Sequence, residues 1–220
     1  MKLYGLIFHI GMMCSKKRII CSYGTSFFTE FQRKSRMALR KVLKKTPDIG
    51  KSIFSFNYQF TPAYIAWYRA SGELKLTHEE AIGLLWMMNE QIMRAIPRIL
   101  RPAIKTRYLN GFRRQAPLHQ SRSEQGAVHP YDYKIAFRDI EKNTFEIDIT
   151  QCGMIRLCRD FDALALFPAV CRMDYLFAHY LGHGFERTTT LGDGDRCCNC
   201  RYILDGSCEW APEKGFGERR

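Results

Sequence analysis

Phe185-Glu186-Arg187-Thr188-Thr189-Thr190-Leu191, then Gly192-Asp193-Gly194-Asp195, then Arg196-Cys197-Cys198-Asn199-Cys200-Arg201-Tyr202-Ile203-Leu204 is the stretch on which the fold turns. Phe185, Arg187 and Thr189 alternate with Glu186, Thr188 and Thr190, the period of a strand. The glycine-rich quartet is a turn, and the run from Cys198 to Leu204 is a return strand, so the whole reads as a β-hairpin. Working upstream, Tyr133, Ile135 and Phe137 alternate with polar residues, as do Phe145, Ile147 and Ile149. Glu141-Lys142-Asn143 separates them, which gives a second hairpin.

Between the hairpins, Thr150 reads as the cap of a helix starting at Gln151. Cys152 then falls in the first turn, where the positive dipole end favours thiolate. A further helix, about Phe167 to Leu181, places Cys171, Asp174, Tyr175 and Ala178 on one side and stops at Gly182 and Gly184. Soft nucleophiles, carboxylates and arginines are concentrated in this C-terminal third. An inert buried thiol is the plain alternative for Cys152.

The first half is helical by pattern. Thr25 to Lys45 is a basic amphipathic helix ending before Pro47, for which packing against the domain and membrane-surface binding are both open. Thr61-Pro62 reads as a cap and first turn of a short helix through Ala70. Thr77-His78-Glu79-Glu80 is a capping box, opening a helix to about Ile96. Its Met87, Met88 and Met93 read as adaptable core. A more basic helix runs from about Ala103 toward Arg114, and the polar stretch from Gln115 to Pro130 reads as a loop. His119 and His129 lie on it, too far from any partner in sequence to suggest a metal site.

The expected class is therefore α+β: an antiparallel sheet of two β-hairpins, about four strands, covered by helices, with a helical N-terminal half. Residues 1–24 read as an unpacked or non-native segment, 25–208 as a single domain, and 209–220 as a flexible tail. The apolar run Leu3 to Cys14 is too short to span a bilayer, so no stable membrane span is expected. The formal charge of +12 is uneven: residues 1–125 hold 22 Lys/Arg against 7 Asp/Glu, and the rest hold 12 against 15. No RNA-binding or zinc-finger signature accompanies the basic half, so specific nucleic-acid binding is not expected. Nine cysteines, crowded at Cys197, Cys198 and Cys200, suit reduced thiols and a cytoplasmic compartment.

Three chemistries remain open on residue types alone. A zinc site would draw on Cys197, Cys198, Cys200 and Cys208. Cys197 and Cys198 are adjacent, however, and face opposite sides of a strand. Hydrolysis would use a thiolate on an electrophilic carbon, a carboxylate to move protons and an arginine to fork onto a substrate carboxylate. For that, Cys198 would face Cys152 and Asp174 from helices covering the sheet, with Arg201 on the other strand face by alternation. The third reading is a ligand- or partner-binding module.

Asp148-Ile149-Thr150-Gln151-Cys152, Cys171-Arg172-Met173-Asp174 and Glu186-Arg187-Thr188-Thr189-Thr190-Leu191-Gly192-Asp193-Gly194-Asp195-Arg196-Cys197-Cys198-Asn199-Cys200-Arg201-Tyr202 together resemble the L-2-amino-thiazoline-4-carboxylic acid hydrolase family. The match is clear over about Asp132 to Leu204. The resemblance implies a hydrolase acting on a cyclic amidine C–N bond, opening a five-membered thiazoline ring to a carbamoyl-cysteine. The implied substrate is a small anionic acid, with no cofactor. It carries over Cys152, Asp174, Arg187, Thr188, Thr190, Gly194, Cys198 and Arg201; the roles expected for the site are Cys152, Asp174 and Cys198 as catalytic, and Arg187, Thr188, Thr190, Asp195 and Arg201 as substrate-binding. After the motif cysteine the family usually has an acidic residue or histidine and then an aromatic, whereas this chain has Asn199 and Cys200. A non-catalytic small-ligand or metal-binding module of the same fold is the alternative. The sequence sets no oligomeric state.

Overall fold

The alternating segments form strands and the amphipathic ones helices in the computed structural model, which describes residues 3–208. In chain order these are α1 (Tyr4–Tyr23), α2 (Thr25–Lys45), α3 (Ser55–Glu73), α4 (His78–Arg94), α5 (Arg101–Glu124), β1 (Lys134–Glu141), β2 (Thr144–Gln151), α6 (Gly153–Asp160), α7 (Phe167–Cys171), α8 (Met173–Leu181), β3 (Gly184–Glu186) and β4 (Cys198–Ile203). The fold is α+β, and its four strands form one antiparallel sheet in the order β1-β2-β4-β3. The tail expected at 209–220 lies outside the described residues.

Where the sequence suggested one domain over 25–208, the chain divides into two compact units. One comprises Met1–Asp48, Phe56–Ala95 and Met154–Val170; the other comprises Ile49–Ser55, Ile96–Gly153 and Cys171–Arg220.

The first unit is helical. The segment read as unpacked is a helix from Tyr4 onward, and it buries Ile7, Phe8, Met12 and Ile19. A Cβ on Gly11 would lie 2.5 Å from the Trp67 ring, so α1 meets α3 where no larger residue fits. α2 runs from Thr25 to Lys45 as expected. The capping box of α4 is formed: Glu80 N–H donates to Thr77 Oγ1 at 3.2 Å, and Thr77 N–H donates to Glu80 Oε2 at 2.7 Å. α3 corrects the sequence reading, because it starts at Ser55 and passes through Pro62. Proline costs one helical bond, and the buried Tyr58, Ala63, Tyr64 and Ile65 around it offset that cost.

The second unit holds the sheet. Phe145, Ile147 and Ile149 of β2 lie opposite Tyr202, Cys200 and Cys198 of β4, and all six are buried. On the other face Arg138 pairs with Glu146 and Asp148. Strand alternation sorts the two sets. Tyr202 is central to the buried face, with its ring against Phe112, Phe145 and Phe185.

The stretch read as a loop from Gln115 is instead the second half of α5, continuous through Pro117 to Glu124. Its polar residues serve the open edge of β1. Gln120 Oε1 accepts from Phe137 N–H at 2.7 Å, and Ser123 Oγ accepts from Ile135 N–H at 3.3 Å. His119, buried, bonds the Tyr133 carbonyl through Nε2 at 2.9 Å. An uncovered strand edge invites foreign pairing, and these side chains block it. Arg113, on the same helix, clasps the β1–β2 turn at Asp139, Glu141 O and Lys142 O.

Candidate active site

Two interruptions of regular structure build the site. The helix expected from Phe167 to Leu181 breaks at Arg172, so α7 ends on Cys171 and α8 begins one residue later. Arg172 is buried and grips Asp193 through both carboxylate oxygens, at 3.0 and 3.2 Å. This ties the break to the loop after β3. The strand expected through Thr190 in turn stops at Glu186. Asn199 explains why: its Oδ1 accepts from the Thr188 and Thr189 amides at 3.0 and 2.8 Å, and its Nδ2 donates to Thr188 Oγ1 at 2.7 Å. A side chain on β4 thus takes the bonds a strand partner would have made.

The loop so pinned delivers Thr190 to two thiols. Cys171 Sγ lies 3.0 Å from Thr190 Oγ1, and Cys198 Sγ lies 3.4 Å from the same oxygen. Leu191 N–H donates to Cys198 Sγ at 3.3 Å, and Gly192 N–H donates to Thr190 Oγ1 at 3.2 Å. The Thr190 hydroxyl has one proton to give and can accept from others. It accepts from Gly192 N–H, and either it or a thiol can donate in its contacts with Cys171 and Cys198.

Arg187 lies beside this group. Its guanidinium donates to Asp174 Oδ2 at 2.9 Å and to the Cys171 carbonyl at 3.1 Å, and it lies over the Tyr175 and Phe185 rings. Arg187 is buried, while the Asp174 side chain is one quarter exposed and Cys171 is partly exposed. The thiol proton is shared unequally. A hydrogen bond from Cys198 and the charge of Arg187, helped by Thr190, overcome burial and lower Cys171 from 9.0 to about 7. Cys198 moves the other way, raised by its bond to Cys171 and by burial. Burial also raises Cys200 and Asp174, with Arg187 opposing it in both. For Arg187 burial works against the charge, but Cys171 and Asp174 outweigh it and keep the guanidinium protonated.

The sequence-derived residues therefore separate. Asp174, Cys198, Arg187 and Thr190 come together around Cys171, which sequence reasoning left without a catalytic role. Thr188 and Asp195 are exposed and bond within the loop: Thr188 Oγ1 accepts from Asn199 Nδ2, and Asp195 Oδ2 accepts from Thr190 N–H at 2.8 Å. Arg201 is exposed on the opposite face of β4, 3.9 Å from Glu186, as strand alternation requires. Cys152 does not lie in a helical first turn, because β2 continues through Gln151 and α6 starts at Gly153. It lies between the end of β2 and the start of α6, three residues after Ile149, which pairs with Cys198. Two signals pointed to Cys171: its spacing of three from Asp174 and its place in the resembling motif. Among the described residues no group of His, Cys, Asp and Glu could hold a metal ion.

A sequence profile of L-2-amino-thiazoline-4-carboxylic acid hydrolases matches residues 57–202, about two thirds of the chain. The chain belongs to this family. Within the thiazoline-carboxylate hydrolase match lie α8, the Asn199-pinned loop and both thiols of the site. α1 and α2 lie outside it. Neither a curated protein nor a solved structure matches the chain.

Proposed function

We propose that the chain is a hydrolase that opens L-2-amino-thiazoline-4-carboxylate, or a closely related cyclic amidine acid, with Cys171 as nucleophile. The family supplies the substrate class. The observation that supports the reaction is the Cys171–Thr190–Cys198 triangle beside the Arg187–Asp174 pair. A thiolate near neutral pH is a strong nucleophile, and C2 of the thiazoline, flanked by sulfur and two nitrogens, is the electrophile it fits.

In this scheme the Cys171 thiolate adds to C2. A ring bond from C2 then breaks, and a proton held on Cys198 passes to the departing ring atom. Water adds to the same carbon and releases Cys171. One water is consumed: its oxygen becomes the carbamoyl oxygen, and its protons are divided between the product and the restored thiol pair. Asp174, with its raised pKa, is a second proton carrier beside the thiols. Arg187 keeps Cys171 ionised and draws the substrate carboxylate. Breaking the C2–S bond would give a product with a free thiol, and breaking the ring C2–N bond one with a free amine. A thiol reagent distinguishes them.

The test is turnover of the thiazoline acid by the full chain, followed by mass spectrometry of the ring-opened product across pH. The nucleophile must be deprotonated, so the rate rises as pH climbs through about 7 and levels above it. Arg187→Met removes a charge that favours the thiolate, so its inflection moves up toward the ordinary 9.0. A rate independent of pH through this range contradicts the thiol mechanism. Saturable binding of the acid with no product would make the chain a binding module of the same fold.

A further inference from the structure

We propose that α1 and α2 form a peripheral docking surface for bilayers containing anionic lipid, with α1 lying in the interface. This proposal is independent of the hydrolase reading, since both helices precede the matched residues. α1 is apolar on two sides. One side is buried in its own unit through Ile7, Phe8, Met12 and Ile19. On the other, Leu3, Leu6, Ile10 and Met13 recur at spacings of three and four and are exposed, Met13 by 54%. That periodicity makes one continuous helical stripe, and Lys17 extends it by a further turn.

Charge decides the occupant. From Tyr4 to Lys45 there are ten Lys/Arg and one Glu, a net +9 of the chain's +12. Lys16, Lys17 and Arg18 follow the stripe and are exposed. On α2, Arg36, Arg40, Lys41, Lys44 and Lys45 are exposed together with Met37, opposite the buried Phe28, Phe31, Ala38 and Val42. The one acidic residue, Glu30, is already paired with Arg33. A second copy would bring the same positive charge against this face. A nucleic acid would neutralise the charge but gain nothing from the apolar stripe. An anionic bilayer satisfies both: the stripe enters the acyl boundary, while lysines and arginines reach headgroups on long stems. None of the described helices is long and apolar enough to cross a membrane, which suits a helix lying in the plane.

The experiment is co-sedimentation of the full chain with vesicles of phosphatidylcholine alone or mixed with phosphatidylserine. The mixed vesicles are expected to capture the protein, and added salt to release it. Leu6→Glu with Ile10→Glu is expected to lower binding roughly tenfold or more. Each of Lys16→Gln and Lys17→Gln is expected to lower it about fivefold. These side chains are exposed, so the fold is expected to survive, with circular dichroism as the check. Leu118→Glu, an exposed apolar position on α5, is expected to leave binding unchanged. Three results overturn the proposal: no capture by the mixed vesicles; duplex DNA binding as tight as vesicle binding, with the Leu6 and Ile10 changes without effect; or a concentration-dependent dimer, abolished by those changes, that vesicles do not disrupt.

Discussion

Replacing Cys171 by serine is expected to lower turnover of the thiazoline acid by roughly a thousandfold or more. Serine keeps the size and the hydrogen bond to Thr190, so the pinned loop and the Arg187–Asp174 pair are undisturbed. What it loses is ionisation near neutral pH, which Arg187 and the Cys198 hydrogen bond provide only for a thiol. Cys198→Ser is expected to cost less, because its role is to hold a proton and a hydroxyl can still donate one. Cys152→Ser is expected to keep most of the activity, since the proposed mechanism gives the reacting thiol to Cys171. Steady-state rates of the three variants, each with an unchanged circular dichroism spectrum, make the comparison. If Cys152→Ser is the silent enzyme and Cys171→Ser the active one, the triangle is not the reactive centre.

Replacing Tyr202 by alanine destabilises the sheet-bearing unit by about 3–5 kcal/mol. The Tyr202 ring stacks on Phe145 at 4.9 Å and meets Phe112 and Phe185 at 5.8 and 5.2 Å. It is 2% exposed, so its removal opens a cavity between sheet and helix that close-packed neighbours fill only in part. β4 also positions Cys198 and Asn199, so activity is expected to fall with the lost stability. Urea unfolding followed by tyrosine and tryptophan fluorescence reads the loss. A change below about 1 kcal/mol would show that the aromatic cluster is not a load shared across the sheet.

The parts of the fold legible in the sequence are those set by local chemistry. Thr77 and Glu80 name a helix start because both bonds of a capping box are made within four residues. Phe145, Ile147 and Ile149 name a strand because one face of it is buried. The errors share a different cause. The polar run after Gln115 reads as a loop, since Gln120 and Ser123 have no visible use until β1 is placed beside them. Thr188 and Thr189 read as strand until the side chain of Asn199 occupies their amides.

The same division holds for the site. Strand alternation alone separates Cys198 from Arg201, and the structure keeps them on opposite faces. The sequence alone gives Cys171 no reacting role, because its partners, Thr190 and Cys198, lie far along the chain and meet it through the break at Arg172. Asn199, a departure from the family pattern, looks like a missing base in the sequence. In the structure it is the clamp that shapes the loop, and the proposed mechanism gives the proton chemistry to the thiols and Asp174.

On the proposed mechanism Cys171 is the ionised thiol of the pair it forms with Cys198. This is tested most directly by alkylating the full chain with iodoacetamide across pH and reading each cysteine by peptide mass spectrometry. Cys171 is expected to react with a midpoint near 7, and Cys198 to stay unlabelled until far higher pH. Labelling of Cys198 before Cys171, or a Cys171 midpoint at the ordinary thiol value of 9.0, contradicts it.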